Sequence, residues 1–293
     1  MKTIDTIPSE QVSPKNQQSH WQGTLALCFG TVNGKTLPTK SYSTAPLRIQ
    51  RPFYPASAPE NCQSVIVHTA GGMVGGDRLQ MAITADPDTQ ILVTTAAAHK
   101  VYRSQRDWAK QTIQLTVAPG AYMEWLPQEL ILFDGGRFQQ SVRVELAPGG
   151  VWLGWDITRF GRSARGETLR AGQWRSQTEI WQQGKPLWID RQQLAGGSEV
   201  LNSQNGLAGY PVVGTFLLLG QSISAEHLSQ LRNQLNNQWE TGDMGLTQLE
   251  QGLVARYRGP SSQKAKQYFV NIWHYLRTEV LGQKAYIPRV WGV

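Results

Sequence analysis

Short alternating runs that stop at evenly spaced turns constrain this chain more than any other feature. Leu79, Met81, Ile83 and Ala85 are apolar at every second position, as are Ile113, Leu115 and Val117, and Val142, Val144 and Leu146. A period of two puts such side chains on one face of an extended strand. Each run ends in a turn: Asp86-Pro87-Asp88, Ala118-Pro119-Gly120 and Ala147-Pro148-Gly149. A second apolar strand follows each turn, at Ile91–Thr95, Tyr122–Leu126 and Val151–Ile157. The turn prolines lie 32 and 29 residues apart, and Gly184-Lys185-Pro186 continues the series. This loose period predicts a mainly β chain of stacked two-stranded units, a β-solenoid-like body in which each unit buries its apolar face on its neighbours. A β-sandwich of similar hairpins fits the same alternation.

Near the C-terminus the period changes. Ala225, Leu228, Leu231, Leu235 and Trp239 form a stripe at helical spacing, with Ser224 as N-cap. Ala265, Phe269, Ile272, Trp273, Leu276 and Val280 form another, capped by Ser261 or Ser262 and stopped by Gly282. The spacing thus predicts two α-helices that pack on the sheet. Between them, Leu249, Leu253 and Ala255 alternate within 241–257, which reads as an edge strand. Residues 1–19 are polar and unpatterned, a disordered tail without the apolar core of a secretory signal. No linker rich in Pro, Gly or Ser follows residue 20, so residues 20–293 read as one domain.

Four glycines, Gly71, Gly72, Gly75 and Gly76, follow the apolar run Val65-Ile66-Val67. Gly71 and Gly76 have the spacing of a phosphate-binding loop, but Asp77-Arg78 stands where Lys-Ser/Thr should meet phosphate and magnesium. A carboxylate there repels the anion. The block reads as a tight structural turn that presents one acid.

Composition removes further classes. No apolar run is long enough for a transmembrane helix. The net charge of +7 comes from 28 basic and 21 acidic residues, yet no two Lys/Arg are adjacent and no nucleic-acid-binding motif is present. Cys28 and Cys62, with no CxxC spacing, predict reduced thiols and a cytoplasmic protein. Charged residues make up 17%, against roughly 25% in ordinary soluble proteins, and there are 11 tryptophans. So few charges with so many tryptophans fit a protein that works inside a complex.

Catalytic signatures are absent. The five histidines lie in no hydrolase or metalloprotease motif, although His68 and His99, from two different blocks, could converge. Acids are more informative: Asp77 ends the glycine block, Glu124 and Glu129 bracket Trp125–Gln128, Asp156 lies between Trp155 and Ile157, and Asp190 between Ile189 and Arg191. Acids in apolar strands must be paired, hydrated or metal-bound. Salt bridges such as Asp156 with Arg159 or Asp190 with Arg191 are one reading. Paired carboxylates in a Trp-rich β-solenoid also fit a glycan hydrolase or lyase.

The residues His68-Thr69-Ala70-Gly71-Gly72-Met73-Val74-Gly75-Gly76-Asp77 resemble the H-x-P-G-G-x-V-G-G-D signature of urease accessory protein D, the UreD (or UreH) family. Matching blocks follow in order: Arg51–Pro55 upstream, then Thr94 and Thr95 through Lys100, Tyr102, Arg103 and Ser104, then Glu124–Glu129. Gly154–Ile157, Gly161-Arg162, Gly166-Glu167 and Pro288–Trp291 complete the series. The resemblance implies a superhelical β-structure with a small helical part and no catalytic activity. It implies a scaffold for nickel insertion into the urease apoprotein that also binds accessory protein F, which recruits the GTPase accessory protein G. It implies no tightly bound cofactor, only Ni(II) in transit along an internal polar route, to which Asp77, Asp156 and Asp190 are matched. Apart from the resemblance, Ile287-Pro288-Arg289-Val290-Trp291 is an apolar C-terminus with one charge, expected to dock on the body or on a partner with Trp291 as the anchor, so Arg289 and Trp291 are the candidate interface residues. Asp156 and Asp190 stand where many members have Glu, and Ala70 where the family usually has Pro.

Overall fold

The computed structural model describes residues 20–292 apart from residue 57 and residues 237–241. The tail and Trp239 therefore lie outside the described residues.

From Asn61 onward the chain passes back and forth between two sheets. Asn61–His68, Gln90–Thr95, Tyr122–Leu126 and Val151–Phe160 run parallel in one. Arg78–Ala85, Ala109–Val117, Arg137–Leu146 and Gln173–Gln182 run parallel in the other, beside Gln22–Val32. The proline turns at 86–88, 118–120 and 147–149 carry the chain across, and successive turns stack: the N–H of Gly120 donates to the carbonyl of Gly149 at 3.1 Å. Gly184-Lys185-Pro186, expected to continue the series, does not, because it closes an antiparallel hairpin within one sheet. This is a β-solenoid-like body, as the spacing predicts, and not a sandwich of hairpins.

Antiparallel strands close the ends. Lys35–Ser43 caps Gln22–Val32, and Lys185–Ala195 caps Gln173–Gln182. In the larger sheet Val212–Leu219, Gly252–Gly259 and Asp243–Leu249 continue from Val151–Phe160. Here the sequence reading needs correction. The segment expected to be one edge strand is a hairpin, turned at Glu250-Gln251, and only Asp243–Leu249 lies at the edge.

Three layers result. The inner faces of the two sheets bury Leu27, Phe29, Ile83, Ile113, Val144 and Met123 between them. The outer face of the larger sheet buries Leu153, Trp155 and Phe216 against the helices Ala225–Asn236 (α1) and Ser262–Tyr275 (α2). Ser261 caps α2, its hydroxyl accepting from the N–H of Lys264 at 3.3 Å, and Ser224 accepts from His227 at 3.1 Å. Beyond Tyr275 the helix widens into a π turn, Leu276–Val280, and ends before Gly282 at φ +61°. No helix among the described residues is long and apolar enough to cross a membrane.

Candidate functional site

Alternation puts Phe138, Gln140, Val142, Val144 and Leu146 of one strand on the inner face, so Gln140 is a polar residue in an apolar row. The ladder extends it. Gln111 pairs with Gln140, Gln140 with Ser176, and Ser176 with Gln192, four polar side chains in register across adjacent strands. The facing sheet answers with Asp156, Thr215 and Arg256, also in register. Together they make a polar seam through the inter-sheet core.

The seam is tied across the gap. Gln140 Nε2 donates to Asp156 Oδ2 at 2.8 Å and Ser176 Oγ to the same oxygen at 3.3 Å. Farther along, Arg256 Nη1 and Gln192 Nε2 each donate to Asp190 Oδ2 at 2.8 Å, and both reach Thr215 Oγ1. Asp156 and Asp190 line one cavity of about 30 Å³ with Trp125, Trp152, Trp155 and Trp188. That holds a water or two, since one needs roughly 10–15 Å³.

The two acids differ in charge balance. Asp190 is paired with the Arg256 guanidinium, not with Arg191, which turns outward to Glu179. Asp156 has no cationic partner among the described residues: Arg159 points the other way and donates to the carbonyl of Pro260. Burial pushes the Asp156 carboxyl up to about 6; the bonds from Ser176 and Gln140 pull against it, and Asp190 adds repulsion. Asp156 therefore sits in a polar slot between the sheets, half ionised near pH 6 and mostly ionised at neutrality.

Asp77 is not part of this seam. Both its oxygens are spent on backbone, Oδ1 accepting from Trp21 N and Oδ2 from Val74 N, each at 2.8 Å. It closes the glycine turn. Gly72, at φ +151°, and Gly75 let that turn pass beneath residues 100–107: a Cβ on Gly75 would lie 2.4 Å from the carbonyl oxygen of Asp107. Tyr102 hydroxyl donates to the carbonyl of Gly71 at 2.8 Å, Lys100 is exposed, and its carbonyl accepts from Met73.

His68 and His99 do converge. Their rings stack at 5.2 Å beside Phe138, and neither Nε2 has a hydrogen-bond partner. Burial holds both imidazoles below the usual range, His99 down to about 3. His99 is in register with Leu130, and Leu130 with Thr158, the inward neighbour of Asp156.

The remaining matched residues hold loops and helices. Thr94 Oγ1 donates to the carbonyl of Leu126 at 2.6 Å and accepts from Trp291 Nε1 at 3.0 Å; Thr95 accepts from Gln128 N. Glu124 is fully buried against Arg277, and Glu129 lies near Lys266 and Arg159. Arg162 forks onto Glu167, and the Arg162 bonds hold that carboxyl below its usual range. Arg103 and Arg170 both pair with buried Asp134. Trp291 docks on the body beside Trp155 and Trp273, while exposed Arg289 lies over Phe53 at 4.2 Å.

The sequence reading missed Gln140, Ser176, Gln192, Thr215 and Arg256. A polar residue at an inward position of an alternating strand was the available signal. No cluster of three His, Cys, Asp or Glu suited to holding a metal exists among the described residues, and Cys28 and Cys62 are free thiols. At about 30 Å³ the Asp156–Asp190 cavity is far too small to admit a sugar ring, which removes that pair from the glycan-hydrolase reading.

Comparison with known proteins agrees along nearly the whole chain. A family model described as "UreD urease accessory protein" matches residues 22–292. A urease accessory protein UreD of Nostoc punctiforme is 51% identical over 93% of this chain and 96% of its own length. Those of Acaryochloris marina and Synechocystis are 49% and 40% identical, over 96% and 89% of this chain and 99% and 96% of their own lengths.

Proposed function

The chain belongs to the UreD family of urease accessory proteins, and from that premise we propose that it is a non-catalytic scaffold that passes Ni(II) towards apo-urease through the polar seam. In this reading it joins the urease apoprotein to accessory proteins F and G in the cytoplasm, with Ni(II) as cargo and no resident cofactor.

The observation that carries the reading is Asp156: a carboxylate lining the inter-sheet cavity with amide and hydroxyl neighbours and no cationic partner among the described residues. An acid in that position costs stability unless something positive visits it. Oxygen donors such as Asp156, Gln140 and Ser176 hold Ni²⁺ weakly beside an imidazole or thiolate cage. A route needs sites that attract the ion and release it. Asp190, already neutralised by Arg256, can take up a cation only if the guanidinium yields.

Asp156→Asn keeps the shape and removes the charge. In activation of apo-urease with the purified accessory proteins, the expected result is low nickel content per urease with the complex still assembled. Normal nickel loading by this variant sinks the route through Asp156.

A further inference from the structure

The net charge of the chain is not spread over it. The glycine turn and the loops at 100–110, 131–137 and 161–175 stack at one end of the solenoid. Gly76 N donates to Trp108 O, Ser104 N to Gly135 O and Gly135 N to Ala171 O, at 3.0–3.1 Å. Residues 71–78 and these three loops carry ten Lys/Arg and four Asp/Glu, a local excess of six out of the chain's net +7. Of the four acids, Asp77 and Asp134 are buried and Glu167 is bound to Arg162. Only Asp107 stands exposed against the basic side chains.

The sheet extends the charge into an ordered face. Arg78 is in register with Lys110, Lys110 with Gln139, and Gln139 with Arg175, and the three basic residues are exposed. With strands about 4.8 Å apart they span roughly 15 Å. Trp108 is held between the guanidinium groups of Arg137, at 5.0 Å, and Arg175, at 4.8 Å. Trp21 and Val74, 47% and 43% exposed, stand beside them on the same end.

We propose that this end is a docking surface for an acidic protein surface, with Trp21 and Val74 as its apolar anchors. The inference rests on the scaffold reading above, which supplies the setting in which such a partner is met. Like charges gathered at this density repel one another, and a complementary acidic face relieves that. Apolar anchors among arginines are the composition of a protein interface core and rim. The chain carries no nucleic-acid-binding motif and no adjacent Lys/Arg pair, which favours a protein partner over a nucleic acid.

The test uses the full-length chain with apo-urease and with accessory protein F as separate probes. A triple variant, Arg106→Glu, Lys110→Glu and Arg175→Glu, is compared with Lys35→Glu, Lys40→Glu and Lys185→Glu, which changes net charge equally at exposed sites elsewhere. For one probe, the wild-type complex weakens at least about tenfold between about 50 and 300 mM NaCl, and the first triple weakens it at least about tenfold at low salt, whereas the control triple does not. Both complexes surviving the first triple unchanged, or both triples acting alike, overturns the docking surface and leaves the scaffold reading standing. No wild-type binding to either probe sinks the scaffold reading itself. Loss of salt dependence on deleting residues 1–19 makes the tail the charged contact and overturns the proposal. So does a 20-base-pair duplex that binds wild type and not the first triple while both protein complexes stay intact.

Discussion

Glu124 and Arg277, 153 residues apart, form an ion pair that is sealed from solvent: Arg277 Nη1 lies 2.6 Å from Glu124 Oε2, with side chains 3% and 0% exposed. The second carboxylate oxygen accepts from Tyr122 hydroxyl and Trp273 Nε1, and Arg277 Nε donates to the carbonyl of Lys284. Every polar atom of Glu124 is satisfied. The pair joins the larger sheet to the π turn behind α2 and so fixes where the C-terminal segment leaves the helix.

Glu124→Gln is therefore expected to destabilise the fold by about 3–5 kcal/mol, because it leaves a guanidinium buried without its countercharge. Replacing both partners by apolar residues, Glu124→Leu with Arg277→Met, is expected to cost much less. Urea denaturation of the three proteins checks this. A double variant no more stable than Glu124→Gln would show that the pair does more than neutralise itself.

The glycine turn gives a sharper contrast. A Cβ at Gly75 meets Ser104 Oγ at 1.9 Å and the Asp107 carbonyl oxygen at 2.4 Å, whereas at Gly71 the nearest atom is Tyr102 Oη at 3.8 Å. Gly75→Ala should lower stability by about 1–3 kcal/mol, the usual cost of overpacking against atoms that cannot step aside. Gly71→Ala should change it little. Equal melting temperatures for the two variants would refute this account of the turn.

What the sequence showed and what it hid separate along one physical line. The solenoid was legible because strands announce their face through alternation and the crossings from the smaller sheet to the larger one through proline turns, as at Ala118-Pro119-Gly120. Capping was legible at Ser224 and Ser261 for the same reason: the cause lies within four residues of the effect. Pairings were not. Asp190 sits next to Arg191 in the chain, but neighbours in a strand point to opposite faces, and the partner is Arg256 on a strand of the other sheet. Asp77 matched a family acid, yet its carboxylate is consumed by Trp21 and Val74 backbone. No local pattern distinguishes a carboxylate that binds N–H groups from one that faces a cavity.

Trp291 anchors the end of the chain. It donates to Thr94, lies 4.9 Å from Trp155 and 5.4 Å from Trp273, and Lys266 stands over its ring at 5.6 Å. Trp291→Ala is expected to cost about 2 kcal/mol, below the ~3–5 of a fully buried aromatic because this ring is only half-buried. Trp291→Phe keeps an aromatic ring at this position but loses the bond to Thr94 and part of the packing on Trp155 and Trp273, so it should recover part of the loss. If the ring instead serves mainly as a partner contact, Trp291→Ala weakens complex formation with no change in melting temperature.

Asp156 makes a pH prediction whose sign follows from its raised pKa. Folded, the carboxyl titrates near 6; unfolded, near about 3.9. Between those values the folded protein holds a proton that the unfolded chain has released, so the contribution of this group to stability falls as pH rises from about 4 to 6. Above pH 6 the folded state carries the whole cost of the enclosed charge, at most about 3 kcal/mol for a shift of this size. His99 acts in the opposite direction: its folded pKa of about 3 makes the protein less stable as pH falls below the unfolded histidine value. His68, Asp134 and Glu167 are shifted too, so the wild-type profile alone mixes several effects, and the difference between Asp156→Asn and wild type isolates one. That difference is expected to be small near pH 4 and to favour the variant by about 1–3 kcal/mol at pH 7.5, since the amide keeps neutral contacts with Gln140 and Ser176. A cargo cation should narrow it: millimolar Ni²⁺ raises the melting temperature of wild type at pH 7.5 and leaves that of Asp156→Asn unchanged. Asp156→Asn less stable than wild type at pH 7.5 would mean that the ionised carboxylate is held by a partner within the fold, and the seam would lose its one uncompensated charge.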